Sequence, residues 1–257
     1  MKTKRITESI LDTILYLSGL FNLILNAFKN LPSLRIRPVR TVFFRQIYFA
    51  GIETLGKMVI IGLLIGIVII SQITSLVGVG RGELIGKILV WVVIRELGPL
   101  FAAIVVIARS VTAISAELGS MNAQGEIASI EMMGIDPERY LIMPRIIALT
   151  LSAVMLTFYF ELAAILGGII VTSLFWGIPF EQHTTGILTS LTIPELSASL
   201  VKSLLFGLVI SAVSCSQGLK VSSGSITKIP QATTKATMQS LFFVFIFDGI
   251  ITLIFFL

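Results

Sequence analysis

The sequence predicts an all-α integral membrane protein, and its composition and its long apolar runs carry that prediction. Of its 257 residues, 55% are hydrophobic and only 13% are charged. A soluble domain carries roughly 25% charged residues, so this chain has too few to cover a surface that faces water. The apolar residues are also gathered into runs of about 20 or more, the length that a helix needs to cross a bilayer core of about 30 Å.

Five apolar runs are long enough to cross the bilayer as helices. We predict these spans over residues 52–77, 84–118, 145–175, 198–219 and 234–257. The first run contains Gly62 and Gly66, a spacing that lets two helix backbones approach closely. Ordinary glycines of a membrane helix are the alternative. The segment from Gly177 to Glu195, between the third and fourth spans, is predicted to be a loop and contains no Lys or Arg.

Residues 1–49 precede the spans and are predicted to lie at the membrane surface. Within them, an amphipathic helix is expected because apolar side chains recur at helical spacing, at Ile10, Ile14, Leu17, Phe21, Ile24 and Phe28. We expect this helix to lie in the membrane interface. A short additional span over residues 6–28 is the alternative. Residues 31–49 follow as a basic connector that is interrupted by Pro32 and Pro38.

The distribution of basic residues predicts how the chain is oriented. Fourteen Lys and Arg residues fall in the segments that this arrangement places in the cytoplasm, whereas two, Arg81 and Lys87, fall on the other side. Such a bias favours an N-terminus in the cytoplasm and, with five spans, a C-terminus on the opposite side. The same bias accounts for the formal net charge of +5, so we expect no nucleic-acid partner.

Charged residues interrupt the second span, where they need a structural or functional reason. Arg95 and Glu96 stand just before Gly98 and Pro99, where a helix of this length is expected to kink or break. Pro99 has no N–H group and leaves the carbonyl of Arg95 without its helical partner. Because Arg95 and Glu96 are adjacent, we expect their side chains to point to different sides and not to pair. They either border a polar cavity or form a structural network that caps the broken helix.

A polar segment after the second span is predicted to form a short separate helix over about residues 123–133. Gly134 is expected to end this helix, and Asp136 followed by Pro137 prevents it from continuing. The segment is too short and too polar to cross the membrane. Counted from a cytoplasmic N-terminus, it lies on the cytoplasmic side.

The sequence contains no nucleotide-binding motif. The segment GRGELIGKI, which begins at Gly80, lacks the spacing of a phosphate-binding loop and has Ile88 in place of the required Ser or Thr. If nucleotide hydrolysis drives this protein, we expect a separate subunit to bind the ATP and no cofactor in this chain. A single cysteine, Cys215, excludes an internal disulfide.

Ordered motifs from Glu96 to the end of the chain identify a family resemblance. They are ELGP at Glu96, AELG at Ala116, EMMGIDP at Glu131, PR at Pro144, and the closing segments ATTKATMQS and FDGIITLIFF. In this order and with these gaps, the sequence from about residue 50 to 257 resembles the MlaE family of ABC-transporter permeases. Members of that family work with ATPase subunits and with MCE-domain proteins to move lipids between bacterial membranes.

The resemblance implies a fold, partners and site residues. The fold would be an interfacial helix plus five spans in a bacterial inner membrane, with the C-terminus in the periplasm. Two copies would dock on an ATPase dimer and work with a periplasmic MCE-domain protein and phospholipid. Residues expected to couple to the ATPase are Glu126, Ile130, Glu131, Met133, Gly134 and Asp136. Residues expected at a lipid cavity between the first, second and fifth spans are Arg95, Glu96, Leu97 and Pro99.

Two other intramembrane acids, Glu161 and Asp248, are expected to form structural pairs. Two alternative functions remain open from the sequence: a secondary transporter driven by protons through Glu96, Glu161 and Asp248, or a membrane scaffold without transport. A docking helix in a chain without a nucleotide site favours the ABC permease. Internal two-fold repeats would favour the secondary transporter, and the sequence contains none that we can identify.

Overall fold

A computed structural model describes the backbone of residues 2–78, 81–177 and 180–256, and all of its regular elements there are helical. The helices are α1 (Lys2–Lys29), α2 (Arg37–Val77), α3 (Leu84–Ala123), α4 (Glu126–Met132), α5 (Glu138–Phe175), α6 (Phe180–Ser190), α7 (Ile193–Leu219) and α8 (Ile229–Phe256). Five of them, α2, α3, α5, α7 and α8, are long and apolar enough to cross a membrane. The predicted fold class is therefore confirmed. Leu257, where we placed the end of the last span, lies outside the described residues.

The basic connector differs from its prediction, because most of it is helical. Residues Leu31–Arg35 form a 3₁₀ turn, and α2 then begins at Arg37 and continues into the first span without a break. Pro32 and Pro38 both stand in the first turn of their element. Proline is tolerated there because the N–H groups of a first turn have no helical acceptor. These prolines therefore start helical segments instead of interrupting one.

Helix α3 continues through Pro99 without a break, where a kink or break was expected. Its hydrogen-bond pattern widens to that of a π-helix over Val90–Leu97, immediately before Gly98, and again over Ile107–Val111. A π-helical turn accommodates an interruption of the α-helical pattern while the chain stays helical. The helix then runs on to Ala123, five residues beyond the predicted end of the span at residue 118.

Helices α2 and α5 pack closely through glycine. A methyl group on Gly66 would collide with the backbone carbonyl of Ala164, and one on Gly62 would come within 2.9 Å of the Phe160 carbonyl oxygen. The Gly62–Gly66 pair therefore serves a close helix contact, the first of the two interpretations that the sequence left open.

The spans α2, α5, α7 and α8 follow one another in space, each packed against the next, and α3 packs against α5, α7 and α8. The two helices at the ends of this series have the most exposed apolar segments. Only 22% of the apolar segment of α2 and 17% of that of α8 are buried, against 50–56% for the other three spans. A single chain therefore leaves α2 and α8 with large apolar surfaces open to lipid or to a partner.

Helix α1 is attached to α7, to α8 and to the start of α5 by side-chain hydrogen bonds. The Tyr16 hydroxyl donates to Gln239 Oε1 over 2.9 Å, and Gln217 in the last turn of α7 donates to that hydroxyl over 3.1 Å. Further along α1, Asn26 donates to the carboxylate of Glu138, at the start of α5, over 3.0 Å.

Leu20 of α1 also packs in a buried cluster with Ala212 and Val213 of α7. Four residues of the predicted apolar stripe, Ile14, Leu17, Phe21 and Phe28, remain exposed. Exposed apolar side chains suit the predicted position of this amphipathic helix in the membrane interface, which stays a prediction.

The loop predicted between Gly177 and Glu195 is wrong in part, because it contains α6. This helix packs against the start of α3, where Gly86 and Gly186 bring the two backbones together. A methyl group on Gly86 would lie 2.8 Å from the Gly186 carbonyl carbon. At only 11 residues, α6 is too short to be recognised as a span.

Candidate functional site

A polar cluster lies inside the bundle and is centred on Lys202 of α7, a residue for which we predicted no role. The Lys202 side chain is fully buried. Its ammonium group donates to Glu96 Oε2 on α3 over 2.7 Å and to the Thr252 hydroxyl on α8 over 2.8 Å. It also lies 2.8 Å from Asp248 Oδ1 on α8. One lysine therefore connects three spans.

The position of the cluster follows from the proline in α3. Because Pro99 has no N–H, it cannot donate the regular α-helical hydrogen bond to the carbonyl of Arg95. The Lys202 ammonium donates to this carbonyl over 3.0 Å. A buried carbonyl without a donor costs about 1–3 kcal/mol. Lys202 therefore has two roles: it neutralises the charge of the carboxylates, and it donates a hydrogen bond to the Arg95 carbonyl in the π-helical turn.

Arg95 and Glu96 lie closer together than we expected. Arg95 Nε is 3.7 Å from Glu96 Oε1, so the prediction that these neighbours would not pair is wrong. They belong to the π-helical segment Val90–Leu97, whose wider turn brings adjacent side chains to more similar directions. The Arg95 guanidinium also lies 5.7 Å from the centroid of the Trp91 ring, within the range of a cation–π contact.

The predicted lipid-cavity residues are not all at one surface. A shallow cavity of about 360 Å³ is lined by Trp91, Val92, Arg95, Glu96 and Leu97. Pro99 is buried within the bundle and is not part of this lining. Arg95, Glu96 and Leu97 are therefore placed where a lipid group could reach them, whereas Pro99 shapes the helix.

The two other intramembrane acids have different surroundings. Asp248 joins the Lys202 cluster, whereas Glu161 of α5 lies apart from it and accepts a hydrogen bond of 2.6 Å from the Ser199 hydroxyl on α7. Gly98 makes room for this carboxyl group, since any side chain there would collide with Glu161. The three acids that we considered for a proton pathway thus form two separate groups.

The short polar helix predicted near residues 123–133 is present as α4. It begins after a tight turn at Gly125, which has a φ of +77°, and it ends at Gly134, with a φ of +76°. The Gly134 N–H donates to the Glu131 carbonyl and the Ile135 N–H donates to the Ile130 carbonyl. These two bonds form a Schellman cap, so the predicted stop at Gly134 has a defined geometry.

The outer surface of α4 combines apolar and acidic side chains. Met132 is 82% exposed and Met133 is 67% exposed, and both follow directly on the exposed carboxylate of Glu131. Glu126, Gly134 and Asp136 are also exposed, whereas Ile130 is half-buried and packs against the core. Exposed methionines beside acids form a surface suited to a protein partner.

The end of α3 that carries α4 is attached to the segment between α7 and α8. The Asn122 side-chain amide donates to the carbonyls of Leu219 and Val221, each over 2.8 Å. The Gly224 N–H donates to the Ala123 carbonyl over 2.8 Å. The end of α3, which precedes α4, is therefore hydrogen-bonded to the connection between α7 and α8. A displacement of α4 would be transmitted to these two spans.

Lys202 is the residue that our sequence reasoning missed. Lys202 lies within the predicted fourth span, residues 198–219, but we assigned it no role. The available signal was charge balance: Glu96 and Asp248 are acids in predicted spans, and a lysine within a third span is a candidate partner.

Comparisons with known proteins agree with this architecture. The family model described as permease MlaE matches residues 43–254. The intermembrane phospholipid transport system permease protein MlaE of Haemophilus influenzae is 28% identical over 232 residues, which cover 86% of this chain and 85% of that protein. A probable ABC transporter permease protein of Synechocystis is 29% identical over 202 residues, or 78% of this chain and 76% of that protein.

A plant relative is similar over a smaller part of its own length. The chloroplastic protein TRIGALACTOSYLDIACYLGLYCEROL 1 of Arabidopsis thaliana is 29% identical over 213 residues, which cover 82% of this chain. The chain spans 61% of the length of that relative.

Proposed function

The chain belongs to the MlaE permease family, and we propose that it moves phospholipid between bacterial membranes as the permease subunit of an ABC transporter. The observation that carries this proposal is α4, a capped helix outside the spans with Met132 and Met133 exposed. A separate ATPase subunit that binds α4 would supply the energy, because the sequence contains no phosphate-binding loop.

A second copy of the chain is the partner that best accounts for the exposed surfaces of α2 and α8. These are the two least buried spans. Exposing each CH₂ group of a lipid tail to water costs roughly 0.8 kcal/mol, so baring about 30 of them costs on the order of 20 kcal/mol or more. A homodimer that brings together α2, α3 and α8 of both copies would enclose an apolar cavity and keep lipid tails covered.

Within such a cavity, Arg95 and Glu96 would supply the polar groups. Arg95 and Glu96 line the shallow cavity beside Trp91, and a guanidinium group suits a lipid phosphate because it donates two parallel hydrogen bonds. The orientation that follows from the basic residues places α4 in the cytoplasm and the C-terminus in the periplasm. A periplasmic MCE-domain protein would then meet the opposite end of the bundle.

Co-purification with an ATPase and lipid mass spectrometry of the complex test this proposal. We expect an ATPase dimer and phospholipid to accompany the permease. Met132→Ala should weaken ATPase association at least about tenfold, as expected for an interface anchor, whereas Ile226→Ala, which is 63% exposed at the same end of the bundle, should not. Equal effects of the two substitutions would count against α4 as the docking helix.

Coupling is tested separately. Substitution of Glu131 or Gly134 should uncouple ATP hydrolysis from transport while lipid stays bound, because both residues define the surface and the end of α4. Loss of lipid with intact coupling would contradict that role. Transport that follows a proton gradient without ATP would identify a secondary transporter instead.

A further inference from the structure

A second cavity, of about 540 Å³, lies towards the end of the bundle that carries α4 and is lined by residues of α2, α3 and α5. Three arginines, Arg45, Arg109 and Arg145, contribute to its lining. It is distinct from the Lys202 cluster, because Arg109 follows Arg95 by four turns of α3, or about 20 Å along the helix axis.

Two of the three arginines are balanced by acids. Arg109 Nη2 lies 2.6 Å from Glu53 Oε2, and Arg145 Nη2 lies 2.9 Å from Glu117 Oε1. Arg45 has no acidic partner among the described residues, and its guanidinium lies 5.7 Å from the centroid of the Phe49 ring. The cavity therefore carries one positive charge that these acids do not balance.

Other potential hydrogen-bond donors line the same cavity as Arg45. Gln46, Ser110 and Tyr140 line the cavity, and within the described part of the chain none of their side chains forms a hydrogen bond. Ser110 is only 4% exposed, so its hydroxyl is available mainly to a group inside the cavity. A positive charge with several free donors around it fits an anion that offers several acceptor oxygens.

Phosphate is the anion that fits this arrangement best. It offers more acceptor oxygens than a carboxylate, and guanidinium groups bind it with two parallel hydrogen bonds. Tyr48, next to Phe49, is 53% exposed, as expected for an aromatic ring at a membrane–water interface. Aromatic rings at an interface lie at the level of the lipid headgroups. We propose that the cavity around Arg45 binds a phosphate group, with a phospholipid headgroup of that leaflet as its source.

The proposal rests on the proposed function only for the choice of lipid as the source of the phosphate. The full-length permease alone, purified in an uncharged detergent, is sufficient to test it. The midpoint of thermal unfolding is measured against rising concentrations of short-chain phosphatidylglycerol, of diacylglycerol with the same chains, and of inorganic phosphate. These three probes separate a lipid headgroup, an apolar tail and a free anion.

Arg45→Gln is the test variant and Arg40→Gln is its matched control, since Arg40 is an exposed arginine on the same helix outside the cavity lining. We expect phosphatidylglycerol to stabilise the wild type and Arg45→Gln to weaken its apparent Kd at least about tenfold, or about 1.4 kcal/mol. Arg40→Gln should leave that Kd unchanged. If Arg45→Gln does not fold, Ser110→Ala replaces it as the test variant.

Each outcome bears on the proposal. Stabilisation by phosphatidylglycerol and by inorganic phosphate, both lost in Arg45→Gln, would support the site with a free anion as an equally good source. Equal stabilisation by diacylglycerol, equal effects of the two arginine variants, or no effect of either would overturn it. Because no ATPase takes part, failure of the proposed transport function would appear in a different experiment.

Discussion

Replacing Lys202 with methionine is the most direct test of how the polar cluster stabilises this bundle. Methionine keeps the approximate length of the side chain but removes its charge and its donors. The substitution leaves Glu96 and Asp248 facing each other across α3 and α8 without a cation between them, and it leaves the Arg95 carbonyl without its donor. Lys202 itself is fully buried, so water cannot take its place without reorganising the helices.

The expected cost is large for a single substitution. Removing one partner of a buried ion pair costs about 3–5 kcal/mol, because a charge is left without compensation. For a chain of this size, each kcal/mol lowers the unfolding midpoint by roughly 2–4 °C, so Lys202→Met should lower it by roughly 6–20 °C. The triple variant with Glu96→Gln and Asp248→Asn removes the uncompensated charges and should recover most of this loss.

Thermal unfolding in lipid nanodiscs provides the assay, with Lys202→Met, the triple variant and the wild type measured under identical conditions. A matched control is Lys228→Met, which removes an exposed lysine just before α8. The reasoning is refuted if Lys202→Met unfolds at the wild-type temperature. It is also refuted if the triple variant is no more stable than the single one, because the loss then does not arise from unpaired charge.

Three further predictions concern helix packing and the attachments at the α4 end. Gly66→Ala should destabilise the α2–α5 contact by about 1–3 kcal/mol. Gly56 has open space around it, so Gly56→Ala should be neutral or stabilising by about 0.5–1 kcal/mol. An equal decrease of the unfolding midpoint in both variants would contradict this. Tyr16→Phe should increase protease cleavage before α2, because it removes the hydrogen bond that the Tyr16 hydroxyl donates to Gln239 on α8. A phenol is protonated at neutral pH, and burial raises the pKa of Tyr16 further. Unchanged cleavage would count against that attachment. Asn122→Ala removes two hydrogen bonds, each worth roughly 1 kcal/mol. It should accelerate amide hydrogen exchange in residues 219–224 at least about fivefold. Exchange at the wild-type rate would show that another contact holds this segment in place.

The spans were predictable because hydropathy is a local property of the sequence. Each span is recognisable from about 20 consecutive, mostly apolar residues. The end of the short helix α4 is recognisable from Gly134. The π-helical widening before Pro99 was anticipated only as a kink or a break. The sequence shows that Pro99 removes a donor, but neighbouring helices decide how the backbone responds to that loss.

The Lys202 cluster was not predictable from local patterns. Its members lie far apart in the sequence: Lys202 is 106 residues from Glu96 and 50 from Thr252. Whether two intramembrane charges meet depends on the rotation and depth of their helices, which hydropathy does not define. Helix α6 was missed for a related reason, since its packing against Gly86 is a tertiary contact that a short apolar segment does not reveal.

Helix α3 is attached at two points along its length, and this arrangement bears on how α4 can act. Lys202 of α7 binds the Arg95 carbonyl and Glu96 in the first half of α3. At the end of α3, Asn122 binds the Leu219 carbonyl of α7 and the Val221 carbonyl just after it. A force on α4 therefore cannot move α3 alone. It either moves α3 and α7 together or changes the shape of α3 between the attachments. The π-helical segment Ile107–Val111 lies in that interval, where a wider turn can be gained or lost at less cost than in a regular α-helix.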